Sequence, residues 1–340
     1  MANRAVILGG TGTLTRTAEL MADHDWRVTV TARNPDTVPG HLAGLGVDVA
    51  LVDRDDEAAT AAVVGAGADL LVDGQCYTPE HARSLARWSR ACGSTVMLSA
   101  KAVYVDSRGR HTNSPEAPVW DGTLTEDRPT MEFHGEPYAS AEGYGANKAE
   151  AERVLRAEGQ RMTVLRPSKI HGAHLRRARL WEIVLRVLCD RRRMPVRRGD
   201  LVESTTSTEV IARAVWAAAQ HPATRVLNVA DSDPRPARDL VREVAELAGG
   251  PLDLVDVDGC DCPESVGRLP WTVDMVLDTT ALRALGVPDV SFAQTAAAEV
   301  DWLRSLATRT DDGAWAIPDG IEVGTPDLAA EDACLRRVRG

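Results

Sequence analysis

No stretch of this sequence is apolar for long enough to cross a bilayer: residues 5–8 form a short run, and later apolar segments are interrupted by charges within a few residues. Met1-Ala2-Asn3-Arg4 leads straight into that run and a glycine turn, with no signal-type apolar stretch before it. A soluble, cytoplasmic chain with no membrane partner is the expectation. Cysteine is sparse, and Cys76, Cys92, Cys189, Cys260, Cys262 and Cys334 contain one close pair, Cys260/Cys262. In a reducing compartment all six are expected to stay thiols. Lacking a second pair or a nearby histidine, Cys260/Cys262 falls short of a zinc ligand set, so no metal is expected. Net positive charge is missing too: 50 acidic against 39 basic residues give −11, which disfavours nucleic acid as a partner. No tandem repeat or low-complexity tract occurs.

One segment departs from this acidity. Nine arginines crowd residues 176–198, beginning at Arg176 and ending at Arg198. Guanidinium forks suit phosphate and carboxylate, so the segment reads either as an anion-binding edge facing a substrate or as a solvated helix face.

With 44% hydrophobic and 26% charged residues, the composition is that of an ordinary globular protein. Short β-branched runs at 5–8, 28–31, 47–52, 70–72 and 95–98 alternate with helical apolar spacing at 13–23, 57–64 and 79–92. Strand and helix repeated in this way predict an α/β fold, a doubly wound parallel sheet of the Rossmann type that binds ligands at its carboxyl edge. The polar segment 106–136 is too long for a simple connection and reads as functional or mobile. Helices are predicted over 140–158, 178–190, 237–248 and 293–306, with strands at 162–165 and 226–229.

Gly9-Gly10-Thr11-Gly12-Thr13-Leu14-Thr15 lies between the first strand and the first helix. A tight turn there brings backbone amides at a helix N-terminus to a pyrophosphate, so Gly9, Thr11, Gly12, Thr13 and Leu14 are candidate cofactor contacts. Thr15 stands where such fingerprints usually have a third glycine. The second strand ends in Thr31-Ala32-Arg33, with no acid for an adenosine ribose but with Arg33 available for a ribose phosphate. NADP is therefore expected, with NAD as the alternative. Asp53, after the third strand, is read either as an adenine contact or as part of a helix cap with Asp55 and Asp56. On this reading residues 1–172 are mainly a dinucleotide-binding domain and 173–340 mainly a smaller substrate-binding lobe, with 201–230 returning to the main sheet.

Tyr144-Gly145-Ala146-Asn147-Lys148 falls on a predicted helix, so the phenol and the amine share one face. A neighbouring ammonium favours phenolate, which lets Tyr144 exchange a proton with a substrate oxygen. Together with the glycine turn, the Ala149-Glu150-Ala151-Glu152 continuation, Leu165-Arg166-Pro167, Ile170-His171-Gly172 and Val226-Leu227-Asn228-Val229, this motif resembles the extended short-chain dehydrogenase/reductase family with its NAD-dependent epimerases and dehydratases. The resemblance implies that Lys148 also holds the nicotinamide ribose, that Pro167 lies beside the nicotinamide, and that a homodimer can form through the Tyr144 helix.

Four positions depart from the family pattern. Ala100 stands where a Ser or Thr normally holds the reacting oxygen, and neighbouring Ser99 is expected to point to the other face of its strand. Lys101 and Ala102 replace the two acids of the sugar-nucleotide 4,6-dehydratases, which argues against dehydration by that acid pair. Lys101 is a candidate for holding an anionic substrate, although a lysine at a strand end is more often solvated. His171 replaces a tyrosine and is either pocket-lining or structural. Lys101, His171 and Arg176 are the candidate substrate residues. The leading expectation is an NADP-dependent oxidoreductase or epimerase acting on a small oxygenated metabolite. A redox-silent isomerase, cyclase or lyase of the same fold is the alternative, and a non-catalytic NADP sensor the third reading.

Overall fold

The computed structural model describes residues 2–338. The chain begins β1 (Arg4–Leu8), α1 (Thr15–Asp23), β2 (Arg27–Ala32), α2 (His41–Gly44), β3 (Asp48–Leu51), α3 (Glu57–Val64), β4 (Leu70–Asp73), α4 (Pro79–Ser89), β5 (Ser94–Leu98), α5 (Ala141–Glu158) and β6 (Met162–Pro167). It continues through β7 (Ile170–His171), α6 (Trp181–Leu188), β8 (Arg193–Val196), β9 (Thr206–Ser207), α7 (Thr208–Gln220), β10 (Arg225–Val229), α8 (Ala237–Leu247) and β11 (Asp253–Asp256). The last elements are α9 (Thr280–Ala284), α10 (Phe292–Leu306), β12 (Thr308–Arg309), β13 (Trp315–Ala316) and α11 (Leu328–Arg337).

Two compact units form. The first comprises Met1–Ile170, Thr208–Ala230 and Leu277–Asp289, the second His171–Ser207, Asp231–Val276 and Val290–Gly340. In the first, a seven-stranded parallel sheet runs β10-β6-β5-β4-β1-β2-β3. This is the doubly wound architecture, and its order reverses between β1 and β4, where such sheets open a ligand crevice. Strand parity decides which helices cover which face. Val6, Leu8, Leu71, Met97 and Val164 point to α4 and α5. Ser94 has the opposite parity, and its hydroxyl donates to the Ala218 carbonyl of α7 at 2.9 Å. The 106–136 segment is anchored rather than loose. The Asp106 carboxylate accepts from the amides of Arg108, Arg110 and Val119, and the Leu124 carbonyl receives Asn228 Nδ2 at 2.7 Å.

The second unit gathers α6, α8 and α10 around Ile183, Val184, Leu240, Val244, Phe292 and Val300. β8 and β11 pair in parallel beside them. One expectation is corrected here: Cys262 and Cys334 are joined as a disulfide rather than held as free thiols, while Cys260 remains free. The partners are 72 residues apart, so no local spacing in the sequence marks the pair. What brings the sulfurs together is α11 packing over Val257 and Val266, a tertiary contact with no local signature. Among the described residues no helix is long and apolar enough to cross a membrane.

Candidate active site

The glycine turn is shaped by what surrounds it. Gly9 has φ 77°, and its amide donates to Thr31 Oγ1 at 3.0 Å. A side chain at Gly9 would come within 2.7 Å of Gln75, in the loop after β4, and one at Gly10 within 2.6 Å of Val30. The turn therefore packs directly against the β4 loop, at the point where the strand order reverses. Thr15 fits without the usual glycine because its buried hydroxyl turns back to the Gly10 carbonyl at 3.4 Å. Leu14 is the N-cap of α1; it offers no side-chain cap, and the first turn carries no acid. The helix thus presents backbone amides and the positive end of its dipole to an incoming anion. The Leu14 side chain itself is buried, so only its backbone is available to a ligand, while Thr11 and Thr13 are half-buried.

Arg33 follows β2 directly, is exposed, and makes no hydrogen bond or ion pair among the described residues. Asp53 takes the capping geometry: its carboxylate accepts the Asp55 amide at 3.0 Å and its carbonyl the Asp56 amide, with Asp56 the N-cap of α3. Its neighbour Arg54 went unnoticed in the sequence. Buried at the end of β4, Asp73 receives Arg54 Nε and Nη2 at 3.0 and 2.9 Å on one oxygen and holds the Gln75 amide at 2.8 Å with the other. This ion pair fixes the start of the β4 loop. The signal available was an acid at a strand end followed by Gly74, but its partner lies 19 residues away.

Lys148 is 2% exposed, and its ammonium donates to the carbonyls of Cys76 at 2.9 Å and Leu98 at 2.7 Å. These two carbonyls belong to the β4 loop and to the last residue of β5. The Nζ atom also lies 4.5 Å from the centroid of the Tyr77 ring, which stacks on Tyr138 at 5.6 Å. Burial lowers the Lys148 pKa to about 8, against the raising influence of Cys76, Asp73 and Glu152. The half-buried Tyr144 sits one turn earlier on the same face of α5, and Glu152 one turn later. Gly145 is required between Tyr144 and Lys148, because a side chain there would lie 2.2 Å from the Ala102 carbonyl.

Beyond Lys148 a buried polar chain runs through Ser99, Glu152, Arg166, Tyr104 and Asn228, of which Glu152, Arg166 and Asn228 stand in the motifs of the family resemblance. Ser99 Oγ donates to Glu152 Oε1 at 2.5 Å, and Arg166 grips the same carboxylate through Nε at 3.1 Å and Nη2 at 2.5 Å. Arg166 Nη1 donates to the Tyr104 hydroxyl at 3.0 Å, which donates in turn to Asn228 Oδ1 at 2.6 Å. Burial pushes Tyr104 up to about 12, against the lowering effect of Arg166. Ser99 is thus committed to Glu152, and Ala100, at the N-cap of the short turn Lys101–Val103, has no hydroxyl to offer. Lys101 is buried, which corrects its reading as a solvated strand-end charge. Pro167 closes β6 and pairs with Val229 of β10.

His171 and Arg176 belong to the second unit. His171 is buried with Nε2 2.8 Å from Asp231 Oδ2 and its ring 4.7 Å from Phe292. Burial alone would lower its pKa, but the Asp231 carboxylate outweighs this and the value is raised. Asp231 also takes the Thr205 hydroxyl at 2.6 Å and the Ser207 amide at 2.9 Å. Arg176 pairs with Glu322 at 2.8 Å on the surface. The other arginines of its run do not form one edge: Arg186 is buried against Glu331, Arg191 pairs with Asp332, and Arg197 donates to the carbonyls of Val266, Val257 and Cys262.

No family model and no curated protein matches the chain. Solved structures do. A dTDP-glucose 4,6-dehydratase from Bacillus anthracis in complex with NAD has a TM-score of 0.65 at 13% identity, over 89% of this chain and 97% of that one. The Bordetella bronchiseptica enzyme WbmG in complex with NAD and UDP has a TM-score of 0.65 at 16% identity, over 90% and 95%. A Thermus thermophilus UDP-glucose 4-epimerase in complex with NAD has a TM-score of 0.62 at 19% identity, over 88% and 99%. At these identities the likeness is one of fold: the chain has the doubly wound fold of these epimerases and dehydratases.

Proposed function

We propose that this protein is an NADP-dependent oxidoreductase of the short-chain dehydrogenase/reductase type, or an epimerase working through transient oxidation. Its substrate is a small oxygenated metabolite, sugar-like or a secondary-metabolite carbonyl or alcohol. The observation that carries the reading is Lys148, a buried ammonium fixed by two backbone carbonyls at the sheet's carboxyl edge and one helical turn from Tyr144. With a pKa of about 8 it is mostly charged at neutral pH, and that charge favours the phenolate of Tyr144. Tyr144 then gives a proton to, or takes one from, the substrate oxygen. The glycine turn admits a pyrophosphate against the uncapped start of α1, and Arg33 stands ready for a ribose phosphate. When bound, the nicotinamide supplies or accepts the hydride. The structural neighbours named above hold NAD, so the preference for NADP rests on Arg33. That two of them are named for dTDP-glucose and UDP-glucose supports a sugar-like substrate.

A second reading, redox-silent proton-transfer chemistry by Tyr144, is favoured by one observation: Ala100 has no hydroxyl and Ser99 is bound to Glu152. Loss of such a donor costs a carbonyl reduction about 3–4 kcal/mol, roughly a hundredfold to a thousandfold in rate. Calorimetry with NADPH and NADH tests the cofactor without knowledge of the substrate. Wild type should prefer NADPH and Arg33→Asp should shift toward NADH; equal wild-type affinities would sink the preference. Tyr144→Phe should keep NADPH affinity while losing most turnover, and near-full turnover would remove Tyr144 from the chemistry. Single-turnover reaction with deuterated NADPH then separates the readings. Label in the product supports reduction, whereas conversion with neither label transfer nor any transient at the reduced-nicotinamide absorbance supports the redox-silent chemistry.

A further inference from the structure

The second unit contains a cationic cavity that the reading above does not use. Where α6 ends, Asp190 turns through a left-handed conformation (φ 56°) and is followed by Arg191, Arg192 and Arg193. Together with Arg336 from the last turn of α11, and with Asp190 and Asp332, they line a cavity of about 410 Å³. Four guanidinium groups face two carboxylates, a formal excess of +2 on a chain whose net charge is −11. Neighbouring like charges repel, so such a cluster raises the energy of the empty site unless something compensates it.

The compensation inside the protein is incomplete. Arg191 is gripped by Asp332, and Arg193 Nε lies 3.4 Å from Asp253. Arg192 and Arg336 are exposed and have no hydrogen-bonding or ionic side-chain partner among the described residues. Arg191 is held differently: both terminal nitrogens of its guanidinium pair with Asp332, and its Nε is closed off from solvent. Planar forks converging from two segments match the oxygens of a phosphoryl group better than they match a spherical anion.

We propose that this cavity is a binding site for a phosphoryl dianion, either inorganic phosphate or the phosphate of a small metabolite, distinct from the Lys148 site. Arg192 and Arg336 close on the anion from two sides with free guanidinium groups, while Arg191 and Arg193, already held by carboxylates, add positive charge to the wall. Occupancy ties α11 to the turn after α6 and should raise the melting midpoint of the full-length protein.

The test measures melting midpoint and calorimetric binding with inorganic phosphate, against sodium chloride at the same ionic strength. Phosphate is expected to raise the midpoint in a saturable way, and chloride is not. The double variant Arg192→Gln/Arg336→Gln removes two partnerless charges. Without phosphate its midpoint should equal or exceed that of wild type, and it should bind phosphate at least tenfold more weakly. Arg33→Asp should bind phosphate here as wild type does, which keeps this outcome separate from that of the cofactor reading. Tighter binding of glycerol 2-phosphate than of inorganic phosphate supports a phosphorylated metabolite as the occupant, and the reverse supports the free anion. An equal response to chloride, or phosphate affinity unchanged in the double variant, overturns the proposal.

Discussion

The two units bury charge by different routes. In the first, Glu152 and Arg166 are 14 residues apart on consecutive elements, α5 and β6, and the chain that continues to Tyr104 and Asn228 ends on neighbouring strands. In the second, Arg186 reaches Glu331 across 145 residues, and Glu299 takes the Gly172 amide from 127 residues away. The ion pair of the first is local in sequence, although the neutral link from Tyr104 to Asn228 spans 124 residues. The second is made only when distant segments have docked. A buried pair gains little net stability over an apolar substitute, yet removing one member leaves an uncompensated charge.

The largest expected effect tests whether these two routes carry equal weight. Glu152→Gln strands Arg166, and Arg186→Met strands Glu331, both in surroundings almost closed to solvent. Each should cost about 3–5 kcal/mol of stability, read by denaturant unfolding of the full-length chain. If Glu152→Gln is costly and Arg186→Met costs less than about 1 kcal/mol, buried charge matters only in the first unit and the comparison fails.

The same contrast explains what could be read from the sequence. β1 to β6 and the helices α1, α3, α4 and α5 came through as alternating runs, because a parallel strand is apolar throughout and an amphipathic helix repeats every 3.6 residues, whereas the four-residue α2 is too short to show a period. Lys148 and Tyr144 were legible because both sit on one helix at a spacing that places them on one face. The role of Ser99 was half legible: strand parity said that it would turn away from Ala100's side, but nothing local said that Glu152 would hold it. Helix α7 and its place against β5 were not anticipated, nor was the Cys262–Cys334 disulfide, since each depends on a contact distant in sequence. The arginine run stayed open between two readings for a related reason. Crowding in sequence suggests one surface, but Arg186, Arg191 and Arg197 turn to different partners.

Lys148 gives an intermediate effect with a definite sign. Its pKa falls from 10.5 in the unfolded chain to about 8 in the folded one. Below pH 8 both states carry the proton and the cost of burying the ammonium is fully present. Between about 8 and 10.5 the folded protein releases a proton that the unfolded chain retains, so stability rises with pH through this window and levels off above it. The full gain is about 3 kcal/mol. Urea midpoints of wild type and Lys148→Met compared from pH 7.5 upward should diverge in this window alone. Parallel pH profiles would mean that the ammonium is not buried as described, and the first unit would lose its most distinctive charge.

The smallest expected effect comes from the other end of the comparison. Arg176 and Arg186 lie ten positions apart in the same unit, and each has a carboxylate partner, but Arg176's side chain is 73% exposed while Arg186's is 2% exposed. Water and salt screen the Arg176–Glu322 pair, and holding two long side chains together costs rotamer freedom that offsets the attraction. Arg176→Gln should therefore change stability by no more than about 0.5 kcal/mol, a small fraction of the loss expected for Arg186→Met. This near-silence makes the position a sensitive probe of function. If Arg176 holds an anionic substrate, its substitution must raise KM while leaving the unfolding midpoint where it was. A stability loss above about 1 kcal/mol would instead show that exposure is a poor guide to the weight of an ion pair in this unit, and the rule drawn from its buried arginines would fail with it.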